Sequence, residues 1–294
     1  MIGAIIGDII GERHEFKDYK IDKKNKDKLI APESTFTDDT VLTVATAASI
    51  IQNVSYEYNF IQFFNMANKF KTQNGIRKGL GFGEMFAQWA MAPTSFREPY
   101  GSCGNGSAMR VSPVGWAYNN AYDVMVESQL NASPTHNHLE GIKGAQATAL
   151  TVLMGRAGAS KDEIKSMLKD LFKYEMNFTL DELHKTYKFE PTCQYTVPQA
   201  LFCFLESNSF EDAMRNVLYI GGDTDTVAAI CGAAAEAFYG VPLSLRDEAL
   251  GVLERDGPIL RGYVIDFEQK YGNKIEKIDL AFSQKFMNLF TRKI

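Results

Sequence analysis

Two short stretches carry paired acids ahead of apolar segments: FTDDTV at residues 36–41 and GGDTDTV at 221–227. Asp38 and Asp39 are adjacent, and Asp223 and Asp225 are two apart. Neither pair can share one face of a regular α-helix, since residues i and i+2 point about 200° apart. Each pair converges only in a turn at the start of a helix, where unpaired backbone N–H groups also favour negative charge. Gly221 and Gly222 supply the backbone freedom for such a turn. The following helices are apolar, so both turns fall near a core, where an uncompensated carboxylate protonates. Two readings stay open from these residues alone. Either both stretches are helix caps that never meet, or they meet and gather four carboxylates and several Thr hydroxyls at one point. Hard oxygen ligands of that kind suit Mg2+ or Mn2+. Four negative charges would balance two divalent ions, as a two-metal hydrolytic site requires.

Three further stretches could contribute chemistry. YGSCGNGSAMR at 100–110 places Gly101, Gly104 and Gly106 before Arg110. No Gly-Lys-Ser/Thr follows, so it is not a P-loop, and it does not follow a strand as a dinucleotide fingerprint would. Its glycines would let backbone N–H groups approach a phosphate or a sugar, with Ser102 and Asn105 as hydrogen-bond partners; alone it reads equally as a turn. In PTHNHLEG, His136 and His138 have no Cys and no third His nearby. They read as polar contacts to a ligand or as helix caps rather than as a zinc site. Glu12 and Glu15 follow an apolar N-terminal segment, and residue type alone does not choose between them as a general base.

The elements that must position these groups are helical. Residues 160–173 place Ile164, Met167, Leu168, Leu171 and Phe172 on one face, and Ser160 with Glu163 forms a capping box. Residues 197–205, 210–218 and 59–70 repeat the spacing. Residues 41–51 and 226–240 are apolar or small nearly all round, as in helices buried at the centre of a large bundle, and their Gly and Ala allow close helix approach. Residues 17–35, 92–107 and 186–196 read as irregular. With no alternating strands and no βαβ rhythm, the expectation is an all-α fold in one domain over residues 1–294.

A net charge of -5 argues against holding nucleic acid by electrostatics alone. No apolar stretch approaches the roughly 20 residues that span a bilayer. The apolar N-terminus lacks a basic region and carries Asp8 within it, which argues against a signal peptide. The four cysteines lie far apart in sequence, without a C-x-x-C pair, as in a reducing cytoplasm.

In order along the chain, GAIIGDIIGERHEF, FTDDT, GSCGNGSAMR, THNHLEG and GGDTDTVAAICGAAAEAFYG resemble the ADP-ribosylglycohydrolase family. The resemblance spans about residues 1–242, and its bacterial prototype reactivates ADP-ribosylated dinitrogenase reductase. It implies an orthogonal helical bundle with a binuclear cleft holding two Mg2+, or Mn2+ in their place. It places the metal ligands on Thr37, Asp38, Asp39, Asp223, Asp225 and Thr226, with Asp225 bridging the ions. It places the cleft carboxylate on Glu15 rather than Glu12, with Glu15 or Asp38 as the base. It places the ADP-ribose contacts on Gly101, Ser102, Gly104, Asn105 and His136. The implied reaction is hydrolysis at the anomeric carbon of the distal ribose of an ADP-ribosyl group, with ADP-ribose or an ADP-ribosylated molecule as ligand. The alternatives are hydrolysis of a free derivative such as ADP-ribose 1″-phosphate, and non-catalytic ADP-ribose binding. The Lys-rich loop between Glu15 and Thr37 matches no family pattern, so the acceptor stays open.

Overall fold

The computed structural model describes residues 1–15, 20–23, 25–67, 69, 71–72, 75–76 and 80–272. Residues 273–294 of the expected single domain, 17–19 and 24 of the Lys-rich loop, and 68 and 70 of the expected 59–70 helix lie outside the described residues. The chain opens with α1 (Ile2–Gly11), which runs on into a 3-10 turn (Glu12–His14). Next come α2 (Asp38–Gln52) and α3 (Tyr56–Ala67), then a minimal antiparallel hairpin pairing Lys71–Thr72 with Gly75–Ile76. After it run α4 (Glu84–Met91), α5 (Gly106–Met109), α6 (Ser112–Ala117), α7 (Ala121–Ala132), α8 (Leu139–Arg156) and α9 (Lys161–Phe172). The chain continues through α10 (Leu180–Thr186), α11 (Cys193–Leu205), α12 (Phe210–Ile220), α13 (Thr224–Tyr239), α14 (Leu243–Asp256) and α15 (Pro258–Phe267). The all-α expectation holds, with the small hairpin as its one addition among the described residues.

Four helices form the centre. Every residue of α1 is buried, as are Thr224–Ala235 of α13, Asp39–Ser49 of α2 and Gly144–Gly155 of α8. The amphipathic helices α9 and α12 surround them, with Ile164, Leu168, Leu171 and Phe172 of α9 turned inward. Ser160 and Glu163 make the expected capping box, and Thr179 with Glu182 makes a second one on α10. Two helices begin inside stretches that read as irregular, α5 at Gly106 and, more deeply, α11 at Cys193. Its first turn is fixed from outside, since Cys193 N–H donates to Cys103 C=O and Gly104 bridges to Thr192. Such long-range bonds override the weak local helix preference of a Thr-Cys-Gln-Tyr-Thr run.

The contact between α1 and α13 sets the geometry of the centre. A Cβ added at Gly3 would lie 2.3 Å from Gly232 O, at Gly7 2.0 Å from Ala228 O, and at Gly11 2.3 Å from Thr224 O. The numbers rise by four on one helix while they fall by four on the other, so the two run antiparallel with their backbones touching. No side chain larger than hydrogen fits on this row. The end of α1 is thereby carried to the start of α13.

Gly7→Ala is expected to cost about 3 kcal/mol or more, since overpacking here meets backbone that cannot rotate away. Gly251→Ala, at an exposed position of α14 with nothing within 4 Å of the new Cβ, should be neutral or stabilising by up to about 1 kcal/mol. Urea unfolding of the two variants beside wild type checks the contrast; equal midpoints would contradict the close approach.

Candidate metal centre

Three helix ends converge: the C-terminal end of α1 and the N-terminal ends of α2 and α13. At α2, Thr37 is the N-cap and its hydroxyl accepts from Asp39 N–H. Asp38 N–H donates 2.6 Å to Leu80 C=O, which ties this turn to the segment ahead of α4. At α13, Asp223 is the N-cap, reached through Gly221 at φ 70° and Gly222 at φ 91°. This is the left-handed turn that the Gly-Gly pair permits. Asp225 Oδ1 accepts 2.8 Å from Thr226 N–H. The two turns do meet. Thr226 Oγ1 lies 3.4 Å from Asp39 Oδ2, and Thr37 Oγ1 lies 3.4 Å from the same oxygen. Glu15, just past the end of α1, joins Asp223 and Asp225 in a group whose offered oxygens lie within 4.8 Å of one another. Glu12 is not part of that group. The paired acids of two separate helices are therefore one cluster.

Its electrostatics are unfavourable as it stands. Burial, then the charges of Asp225 and Asp8, pushes Asp38 and Asp39 well above the ordinary carboxylate range. Burial and the neighbouring Asp223 do the same to Asp225. Burial raises Asp223 to about 6, against hydrogen bonds that favour its charge. Burial and Asp225 raise Glu15 to about 8, so at neutral pH Glu15 keeps its proton and shares it with Asp225. Among the described residues, no Lys, Arg or His side chain makes an ion pair with any of these groups. Asp39 Oδ1 is buried with no hydrogen-bond partner at all. A buried, unsatisfied carboxylate oxygen beside several others is what a divalent cation would satisfy.

Sequence reasoning finds in Asp8 only an argument against a signal peptide. In the structure its fully buried carboxylate accepts from Thr37 N–H at 2.9 Å, Thr37 Oγ1–H at 2.8 Å, Thr40 N–H at 3.0 Å and the Thr40 hydroxyl. The signal is present in the sequence: one carboxylate in the middle of the otherwise apolar IGAIIGDIIG.

The glycine-rich stretch borders the cluster, but its amides are already engaged. Gly101 N–H, at φ 67°, donates to Asn137 Oδ1, and Ser102 N–H donates to Thr135 C=O. Gly104 N–H donates to Ser102 Oγ, and Asn105 N–H donates to Pro191 C=O. The Asn105 side chain is also committed, donating 2.7 Å to Asp223 Oδ2 and 3.2 Å to Thr196 Oγ1. Asn105 thus supports the carboxylate cluster directly. His136 is buried beside this loop. Arg110 Nη2 donates to Thr135 Oγ1, and the Thr135 hydroxyl lies 2.8 Å from His136 Nδ1. The Thr135 hydroxyl thus links the Arg110 guanidinium to the His136 ring through Nδ1. Burial and Arg110 hold this imidazole neutral. Its Nε2 faces the loop, 3.1 Å from where a Gly106 Cβ would stand. Arg110 itself lies against the Phe60 ring, donates to Asn131 C=O and makes no ion pair among the described residues. His138 caps α8 by accepting from Glu140 N–H.

These shifts fix a pH dependence. Glu15 has its pKa at 4.5 in its ordinary state and about 8 in the folded chain, and Asp223 moves from 3.8 to about 6. Between those values the folded state binds more protons than the unfolded one, so stability is lost as pH rises from about 4 to about 8. Denaturant midpoints in EDTA should fall steadily over that window, and Glu15→Gln should flatten the upper half. A profile that rises with pH would contradict the assignment.

A family model described as ADP-ribosylglycohydrolase matches residues 1–273. ADP-ribosylhydrolase ARH3 of Danio rerio is 26% identical, over 90% of this chain and 88% of that protein. ARH3 of Homo sapiens is 26% identical, over 87% of this chain and 89% of its own. ADP-ribosylarginine hydrolase Tri1 of Pseudomonas putida (strain GB-1) is 23% identical, over 82% of this chain and 70% of its own. A solved structure titled ADP-ribosylglycohydrolase-related protein complex superposes with a TM-score of 0.63 at 20% identity, over 92% of this chain and 95% of that one, which supports the fold. The chain belongs to the ADP-ribosylglycohydrolase family.

Proposed function

We propose that the chain is a metal-dependent hydrolase that cleaves the bond at the anomeric carbon of the distal ribose of an ADP-ribosyl group. The observation that carries this is the meeting of Glu15, Asp223 and Asp225 within 4.8 Å, next to the unpartnered Asp39 Oδ1. Thr37, Asp38, Asp39, Asp223, Asp225 and Thr226 would hold two Mg2+ or Mn2+ ions, since all six offer the hard oxygen atoms those cations select. When bound, the ions supply Lewis-acid polarisation and neutralise the carboxylates. The remaining work falls to the chain's own groups. Asp38 and Glu15 are the half-buried members of the cluster, so both are reachable by water. Glu15, with a pKa of about 8, can hold or release a proton close to neutral pH and serves as the proton carrier. His136, neutral and with Nε2 turned to the glycine loop, makes a hydrogen bond to the ligand rather than carrying a charge. The carboxylates face the positive charge that develops at a ribose carbon during glycoside cleavage. Asn105 keeps Asp223 in place through its 2.7 Å bond. Gly101, Ser102 and Gly104 form the wall along which the rest of ADP-ribose would lie, exchanging some of their internal bonds for bonds to it.

The relatives support the ADP-ribosyl part of this reading, because ARH3 and Tri1 are both named as ADP-ribosyl hydrolases. They do not agree on an acceptor by name, and the acceptor is left to assay. ADP-ribose release from ADP-ribosyl-arginine, ADP-ribosyl-serine and ADP-ribose 1″-phosphate, with Mg2+ and then with EDTA, tests it. Turnover is expected on at least one linkage and its loss in chelator. Tight ADP-ribose binding without turnover on any linkage would replace the enzyme by a binding module.

Asp225→Asn should weaken Mn2+ binding by about tenfold to a hundredfold and lower the rate at least as much. Wild type at a metal concentration a hundredfold above Kd should gain about 2.7 kcal/mol of stability, and the variant at the same concentration clearly less. Thermal unfolding with and without the ion measures the difference. An unchanged affinity and rate would remove Asp225 from the centre.

A further inference from the structure

We propose that Asp8 is a positioning residue for the metal centre: through α1 it holds the Thr37–Thr40 turn at the distance from the Asp223–Asp225 turn that Gly11 fixes. This rests on the reading of the cluster as a metal site. Three observations carry it. First, Asp8 is fully buried, makes no ion pair among the described residues, and spends both oxygens on the backbone and hydroxyl donors of Thr37 and Thr40. A capping carboxylate comes from the helix it caps; this one comes from another helix, 29 residues away in sequence. Second, Thr37 Oγ1 has a single hydrogen. It lies 2.8 Å from Asp8 Oδ1 but 3.4 Å from Asp39 Oδ2, so the hydrogen goes to Asp8. One lone pair of Thr37 Oγ1 accepts from Asp39 N–H; the other points away from Asp8 and remains available as a ligand, and Asp39 is not occupied by the hydroxyl proton.

Third, one turn further along α1, Gly11 lies against the other acidic turn. A Cβ there would be 2.3 Å from Thr224 O and 2.5 Å from Asp225 N and Cα. Asp8 and Gly11 are three residues apart on a rigid helix, so they lie about 4.5 Å apart along its axis. One turn is pinned by hydrogen bonds to Asp8 and the other by backbone contact at Gly11. The spacing of the two halves of the centre is therefore set by α1, not by either acidic motif. Asp8 touches neither substrate nor reacting atoms in this scheme; it acts through Thr37 and the α2 N-terminus.

The experiment separates positioning from mere folding. Mn2+ binding is followed by the electron paramagnetic resonance of free Mn2+, and urea unfolding is measured on the metal-free full chain. The set is wild type, Asp8→Asn, Thr40→Val, Gly11→Ala and Gly3→Ala. Thr40→Val removes a donor to Asp8 without touching a proposed ligand. Gly3→Ala meets Gly232 O at 2.3 Å, as hard a contact as Gly11 makes with Thr224 O, but at the far end of α1. Asp8→Asn and Gly11→Ala should each weaken Mn2+ binding at least about tenfold, Thr40→Val about three- to tenfold, and Gly3→Ala less than about twofold despite a lower urea midpoint. A folded Asp8→Asn or Thr40→Val with wild-type affinity would overturn the proposal, and so would Gly3→Ala weakening Mn2+ as much as Gly11→Ala. Should Asp8→Asn not fold, Thr40→Val and the two glycine variants decide. Wild type that binds no Mn2+ would instead sink the metal reading itself, a different result from variants that match a binding wild type.

Discussion

The approach of α1 to α13 at backbone distance is the constraint on which the rest depends. Three glycines on α1 face Gly232, Ala228 and Thr224, and each interval of four residues keeps them in step. Two helices packed this closely cannot slide or tilt without a backbone clash, so the end of one is located by the other. Glu15 reaches the α13 N-terminus for that reason alone; no hydrogen bond needs to bring it there. The same helix then presents Asp8 to α2. One buried helix of ten residues thus touches both acidic turns and leads into the carboxylate beside them.

This arrangement concentrates charge in a way that a folded chain does not tolerate without compensation. Asp8, Glu15, Asp38, Asp39, Asp223 and Asp225 all have raised pKa values, and burial is the first cause for each. The positive ends of α2 and α13 point into the cluster and offset part of the cost, on the order of 1 kcal/mol each. A structural cap would need one acid per helix, with its oxygens on the first turn. Here Asp223 is the N-cap residue but its side chain makes no capping bond; it faces Asn105 instead. The geometry of a cap has been kept while its hydrogen bond has been given up, which fits a carboxylate reserved for another partner.

What the sequence discloses follows from range. The capping box of α9, the Gly-Gly turn before Asp223 and the apolar centres of α2 and α13 are local patterns, and each stands in the structure. The meeting of FTDDT with GGDTDT is arguable from charge chemistry but needs either the fold or the family order to decide it. The lone acid of IGAIIGDIIG marks Asp8 as unusual, but its partners and those of the Gly3–Gly7–Gly11 row are not legible in the sequence. A glycine every fourth residue signals close approach only once its partner is known, and the partner lies more than 200 residues on. The glycine-rich loop reads from spacing as a turn whose N–H groups could approach a ligand. Its amides are satisfied by Asn137, Thr135, Ser102 and Pro191, none of which local spacing could have named except Ser102. The start of α11 escapes the sequence for the same reason, since its first N–H is held by Cys103.

The polarity of the three helices also separates the roles of the acids. Asp38, Asp39 and Asp225 lie in the first turns of α2 and α13, and Asp223 caps α13, where the helix field favours the ionised form. Glu15 lies past the C-terminal end of α1 and its 3-10 turn, where burial and Asp225 hold the proton. Cations binding in such a cluster would ionise first the acids that the helix ends already favour. Glu15, raised to about 8, holds a proton that it can release near neutral pH, and the half-buried position just past the 3-10 turn leaves it open to water. The proposed ligands and the proposed proton carrier thus differ in place: the former lie at the starts of α2 and α13, the latter beyond the end of α1. The placement of Glu15 one turn beyond Gly11 is then not incidental. Glu12, three residues earlier, stands outside the group that Glu15 makes with Asp223 and Asp225, so it is position 15 that puts an acid beside Asp225.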